Sequence, residues 1–118
     1  MKTNILKEKS FYFALDVIHL YKNISAVKKE FVLSKQLLRS GTSIGANIRE
    51  SQYAESKADF IHKLAIALKE GNETDYWIEL LHLSNYLDLT EYENIKPKID
   101  EQLRLLTSII NTSKKNNY

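Results

Sequence analysis

Residues 34–50, SKQLLRSGTSIGANIRE, decide the fold. Leu37, Leu38, Ile44 and Ile48 recur at helical spacing, while Ser40, Gly41, Thr42, Ser43, Gly45 and Ala46 interrupt them with small side chains. Glycine costs a helix about 1 kcal/mol relative to alanine. Gly41 and Gly45, one turn apart, therefore need a compensating gain. Close approach of a neighbouring helix supplies one, since a face without side chains lets backbones pack tightly. That rule is best attested in membranes, but its steric logic holds in water. A helix built to be gripped points to packing and assembly and away from catalysis. A phosphate loop is the other reading of these glycines. It lacks a preceding strand and a closing Gly-Lys-Ser/Thr.

Outward from this stretch, the chain reads as four helices. The spacing predicts helices over about residues 6–23, 27–53, 57–86 and 91–112, with a frayed tail at 113–118. In the first, Phe11, Ala14, Leu15, Ile18 and Tyr21 form one apolar face, and Phe13, Val17, Leu20 and Ile24 form a second beside it. That arc is wider than a surface helix needs, so part of it is expected to meet something outside the subunit. In the second, Phe31, Leu38, Gly41, Ile44, Gly45 and Ile48 form the buried arc. Lys28, Lys35 and Arg39 fall opposite, within about 40° of one another at 100° per residue.

Ser56-Lys-Ala-Asp59 has the pattern of a helix cap, with an acid three residues after serine. Phe60, Leu64, Leu68, Gly71, Ile78 and Leu81 hold the core register of the third helix. From Tyr76 onward, Trp77, Ile78, Leu80, Leu81 and Leu83 surround the helix with apolar groups, which predicts burial on all sides. Thr90-Glu-Tyr-Glu93 is a second capping pattern, with Pro97 in the first turns that follow. Ile95, Ile99, Leu103, Leu106, Ile109 and Ile110 continue at heptad-like spacing. Four helices with short connections make one domain over residues 1–118, an all-α, up-down-up-down four-helix bundle.

Composition narrows the function. With no cysteine there is no disulfide, no thiolate zinc site and no cysteine nucleophile. No stretch approaches the ~20 apolar residues that span a bilayer, and the N-terminus has no signal-peptide pattern. A soluble, cytoplasmic protein with no membrane partner is expected. The net charge is only +2, yet residues 1–40 carry eight Lys/Arg against three Asp/Glu, and residues 41–95 carry four against ten. Such a polar field suits docking one copy on another, or an anion on one face.

Asp16-x-x-His19 and Glu79-x-x-His82 resemble half of a di-metal bundle site, which also needs a lone carboxylate from each of the other two helices. The second helix has no acid between Glu30 and Glu50, so no metal and no cofactor is expected. No nucleophile elbow and no motif-placed acid pair is present, and no enzyme is expected. Glu70, Glu73 and Lys63 read as a salt-bridge cluster. Lys28, Lys35, Arg39 and Arg49 are the residues that could contact phosphates of RNA or DNA; a solvated helix face is the alternative.

The segments LSKQLLRSGTSIGANIRES (33–51) and SKADFIHKLAIALKEGNETDYWIELL (56–81) resemble the core of the four-helix bundle proteins encoded in intervening sequences of 23S ribosomal RNA genes. The likeness runs from Phe11 to Lys114. This family is similar in turn to the accessory variability determinant of diversity-generating retroelements. The resemblance implies a homopentameric barrel of bundles without enzymatic activity. In the retroelement relatives it extends to nucleic-acid binding through a basic surface and to a reverse transcriptase as protein partner. The residues carried over are Arg39, Ser43, Asn47 and Glu50 from the second helix and Lys63, Glu70, Glu73 and Trp77 from the third, each in a packing or interface role. Two readings stay open: a ring-forming nucleic-acid accessory, and a structural or protein-interaction module with no nucleic-acid contact.

Overall fold

The computed structural model describes residues 2–116, with side chains from residue 3 onward. Four helices fill it: α1 (Lys2–Ala26), α2 (Leu33–Ser51), α3 (Lys57–Leu83) and α4 (Leu89–Lys115). There is no strand among the described residues. Each helix packs on its neighbours in the order α1, α2, α3, α4 and back to α1, and among the described residues the backbones of diagonal helices do not approach closely. Three short loops reverse the chain, giving an up-down-up-down bundle 51 Å long and about 20 Å across. No helix among the described residues is long and apolar enough to cross a membrane.

The α1–α2 boundary differs from the predicted one. Helix α2 begins at Leu33, not near Val27. Lys29 takes a left-handed φ of 58°, which ends the α1 spiral. Glu30 then turns its carboxylate onto the start of α2, accepting from the backbone N–H of Val32, Leu33 and Ser34 at 2.8–2.9 Å. These are donors that a helix start leaves without partners. Phe31 is therefore a loop residue, 57 % exposed, and lies outside the buried arc expected for it.

Ser56 caps α3 as its pattern predicts, accepting from Asp59 N at 3.0 Å. The α4 cap lies two residues before the expected Thr90. Asp88 accepts from Glu91 N, and Glu91 returns the bond to Asp88 N, a reciprocal capping box. A carboxylate is the stronger acceptor at a helix N-terminus, and Thr90 falls inside the first turn. Helix α3 stops at Leu83 rather than Tyr86, because Asn85 turns left-handed and Leu87 folds back into the core. Pro97 sits deeper in α4 than the first turns, on an exposed face. There water can serve the Glu93 carbonyl that loses its N–H partner. Helix α1 extends to Lys2 and Ala26, and α4 runs to Lys115, so residues 113–115 are helical rather than frayed. Asn117 and Tyr118 lie outside the described residues.

The core is continuous. Leu6, Phe13, Val17 and Ile24 from α1 meet Leu37, Ile44 and Ile48 from α2, Leu64, Ala67, Ile78 and Leu81 from α3, and Ile95, Ile99 and Leu106 from α4. Full burial of one such side chain contributes about 1.5–3 kcal/mol. Of the two apolar faces on α1, the Phe13–Val17–Ile24 face is the core; Phe11 and Leu15 on the other remain exposed.

Candidate functional site

Helix α2 packs on α1 through its glycines. A Cβ on Gly41 would stand 2.8 Å from Cγ2 of Val17, and one on Gly45 would stand 3.3 Å from the backbone oxygen of Ser10. The helix that grips α2 is thus α1 of the same chain, and this contact carries no argument for a second copy. Ser43 turns its hydroxyl onto the Arg39 carbonyl, and the Asn47 amide donates to the Ser43 carbonyl. Both side chains donate within their own helix.

The expected basic stripe is divided. Lys28 is not on α2 at all. Its Nζ donates to the Tyr86 carbonyl at 2.7 Å and lies 3.5 Å from Glu91, tying the α1–α2 loop to the α3–α4 end. The left-handed turn at Lys29 interrupts the α2 register before it reaches Lys28. Arg39 remains on the outer face but spans Glu70 at 3.1 Å and Glu73 at 2.5 Å, two carboxylates on one guanidinium. Lys35 and Arg49 are exposed and have no carboxylate partner among the described residues. The Arg49 guanidinium lies over the Phe11 ring, 5.7 Å from its centroid.

Lys63 pairs with Glu50 at 3.2 Å, so Glu70 and Glu73 belong to Arg39 and not to Lys63. Trp77 packs half-buried against the core and edge-on to Tyr76, and its indole N–H is buried without an acceptor. Asp16 accepts from Lys98 Nζ at 2.8 Å, and His19 is exposed. Glu79 accepts from the Tyr92 hydroxyl at 2.6 Å, and the His82 ring stacks on Tyr92. The two acid-x-x-His pairs are thus held apart in separate contacts.

A dense ionic knot joins α3 to α4. Lys96 lies within 2.7–3.7 Å of Asp75, Asp100 and Glu79. Burial alone would lower the Lys96 pKa, but bonds to Asp75 and Asp100 prevail and raise it well above the usual lysine value. The bond to Glu79 likewise raises the Tyr92 hydroxyl above the ordinary phenol value. Pairing and capping thus consume most of the acids in the middle of the chain. The sequence signal missed here is Lys7. It lies one helical turn before Phe11, so it shares that residue's outward face and carries no carboxylate partner among the described residues.

Two kinds of uncovered surface result. Ile5, Tyr12 and Leu15 line one side of α1, and Val27, Phe31, Val32, Leu83 and Leu89 gather at the end formed by the α1–α2 and α3–α4 loops. Val32 and Leu83 are 72 % and 75 % exposed. Full burial of the α3 C-terminal half is therefore not reached within one chain. The second surface is a cleft of about 190 Å³ between α1 and α2, lined by Lys7, Phe11, Ala14, Thr42, Gly45, Ala46 and Arg49.

The family model of the 23S rRNA-intervening sequence protein matches residues 2–108. Among solved structures, the chain is similar to a protein of unknown function from the S23 ribosomal protein family of Bacteroides thetaiotaomicron VPI-5482. The two are 56 % identical and superpose with a TM-score of 0.92 over 94 % of this chain and 99 % of that one. No curated protein matches the chain.

Proposed function

The chain belongs to the 23S rRNA-intervening sequence protein family, and on that footing we propose that it is a non-enzymatic helical module of the cytoplasm that assembles with copies of itself and offers a basic face to RNA or DNA. The observation that carries the reading is a contrast. Most acids are paired or capped within the chain, yet large apolar side chains stay uncovered on α1 and at the loop end. Exposed apolar surface of this kind is the usual mark of a protein contact. The α1 patch of Ile5, Tyr12 and Leu15 differs from the loop-end patch of Val27, Phe31, Val32, Leu83 and Leu89. Two different patches suit a head-to-tail contact, which makes a ring where its rotation closes. The resemblance to ring-forming bundles sets the expected number at five.

The nucleic-acid part rests on Lys7, Lys35 and Arg49 on the α1–α2 side, which carry no carboxylate partner among the described residues. Repeated around a ring, weak phosphate contacts add by multivalency. A gel shift with RNA, single-stranded DNA and duplex DNA at low and physiological salt tests it. Retardation that fades with salt supports the reading, and none at low salt removes it. The uncovered loop end favours a second reading, a protein-interaction module with no nucleic-acid contact.

A further inference from the structure

We infer that the α1–α2 cleft is a site for one unpaired nucleotide of a single-stranded nucleic acid, its base stacked on the Phe11–Arg49 pair and its phosphate held by Lys7. This rests on the nucleic-acid reading above and narrows it to a place and a strand type.

Three independent features meet in the cleft. Its cations are free of acids: Lys7 and Arg49 have no carboxylate partner among the described residues, whereas Lys9, Lys63, Lys96, Lys98 and Arg39 are each paired. Its aromatic group is presented: the Phe11 ring is 47 % exposed, is propped edge-on by Tyr12 at 5.7 Å, and already holds a planar guanidinium against it. Its floor is small, because Ala14, Thr42, Gly45 and Ala46 line it and the glycine brings the two helices close. A flat ring can therefore reach the backbone ridge between them.

A planar apolar group with a negative charge beside it satisfies all three features. A base with its phosphate has that shape. Stacking on aromatic and guanidinium planes, with cations along the backbone, is the general mode of single-strand recognition. A duplex turns its base faces inward and offers none to Phe11. The site continues along one face: Lys35 and Arg49 lie on the outer side of α2, about 21 Å apart at 1.5 Å per residue. That track is long enough for several nucleotides.

The test is fluorescence anisotropy of labelled 20-mers of uridine, of thymidine and of a mixed-sequence duplex against the full chain in its native assembly, over a salt series. The expected result is tighter binding of both single strands than of the duplex. Phe11→Ala should weaken single-strand binding about tenfold with the salt slope unchanged. Phe11→Tyr should restore it. Lys7→Gln with Arg49→Gln should lower the slope by roughly 0.7, the one phosphate held by Lys7, and weaken binding further through loss of the guanidinium plane. All three side chains are replaced at positions outside the core, so thermal melts of the variants should match the parent. Single-strand binding that persists unchanged in both the Phe11→Ala and the Lys7→Gln/Arg49→Gln proteins overturns the cleft assignment and leaves the nucleic-acid reading standing. Equal affinity for the duplex also overturns it. No binding of any probe by the parent protein at low salt overturns both.

Discussion

Gly41 faces Val17 so closely that a methyl group on the glycine would stand 2.8–2.9 Å from both Cγ atoms of the valine. Val17 is fully buried and β-branched, with little rotamer freedom to yield. Gly41→Ala should therefore destabilise the protein by about 1–3 kcal/mol, even though alanine is the better helix former. Val17→Ala in the same chain should recover part of that loss. Denaturant melts of the two single variants and the double variant read the coupling directly. Simple additivity would mean that the two residues do not meet.

Arg39 and Lys35 share the outer face of α2, but only Arg39 has partners, Glu70 and Glu73. Lys35→Glu should leave the melting temperature within error. Arg39→Glu should cost about 1 kcal/mol or a little more, a few degrees, because it replaces a shared cation with a third carboxylate. Equal melting of the two variants would show that the clamp contributes nothing in solution.

Glu30 makes folding depend on pH. Burial alone would raise its pKa, but donors from Leu33, Ser34 and Val32 prevail and hold it below the ordinary 4.5. A carboxyl with a lowered folded pKa stabilises the native state above its unfolded value, and that contribution disappears as pH falls through the folded one. Stability should thus decline as pH drops below about 4.5. Glu30→Gln should flatten that limb. Glu30→Ala should cost about 0.5–2 kcal/mol at neutral pH, the usual range for a lost cap. Chemical denaturation across the acid range measures both.

Much of the bundle was legible because its signals are local and redundant. Ser56 and Asp59 mark the α3 start within four residues, and Ile95 through Ile110 keep their face by period alone. The α1–α2 boundary was not legible, since it depends on a left-handed Lys29 and on Glu30 reaching forward to cap α2. Neither residue type announces that role. The basic stripe is divided for the same reason, since Lys28 keeps the period of α2 without belonging to that helix. Pairing was also hidden: no spacing rule reveals that Arg39 meets Glu70 and Glu73 across the helix interface, or that Lys7 meets no acid.

Self-assembly is the central claim, and the mass of the protein in solution tests it most directly. Light scattering behind size exclusion at micromolar concentration should give a single species at five times the 13.7 kDa chain mass. Replacing Leu15 and Leu83, exposed on two different helices, with glutamate should shift it to lower mass without unfolding it. A well-folded parent protein eluting at 13.7 kDa would contradict the account.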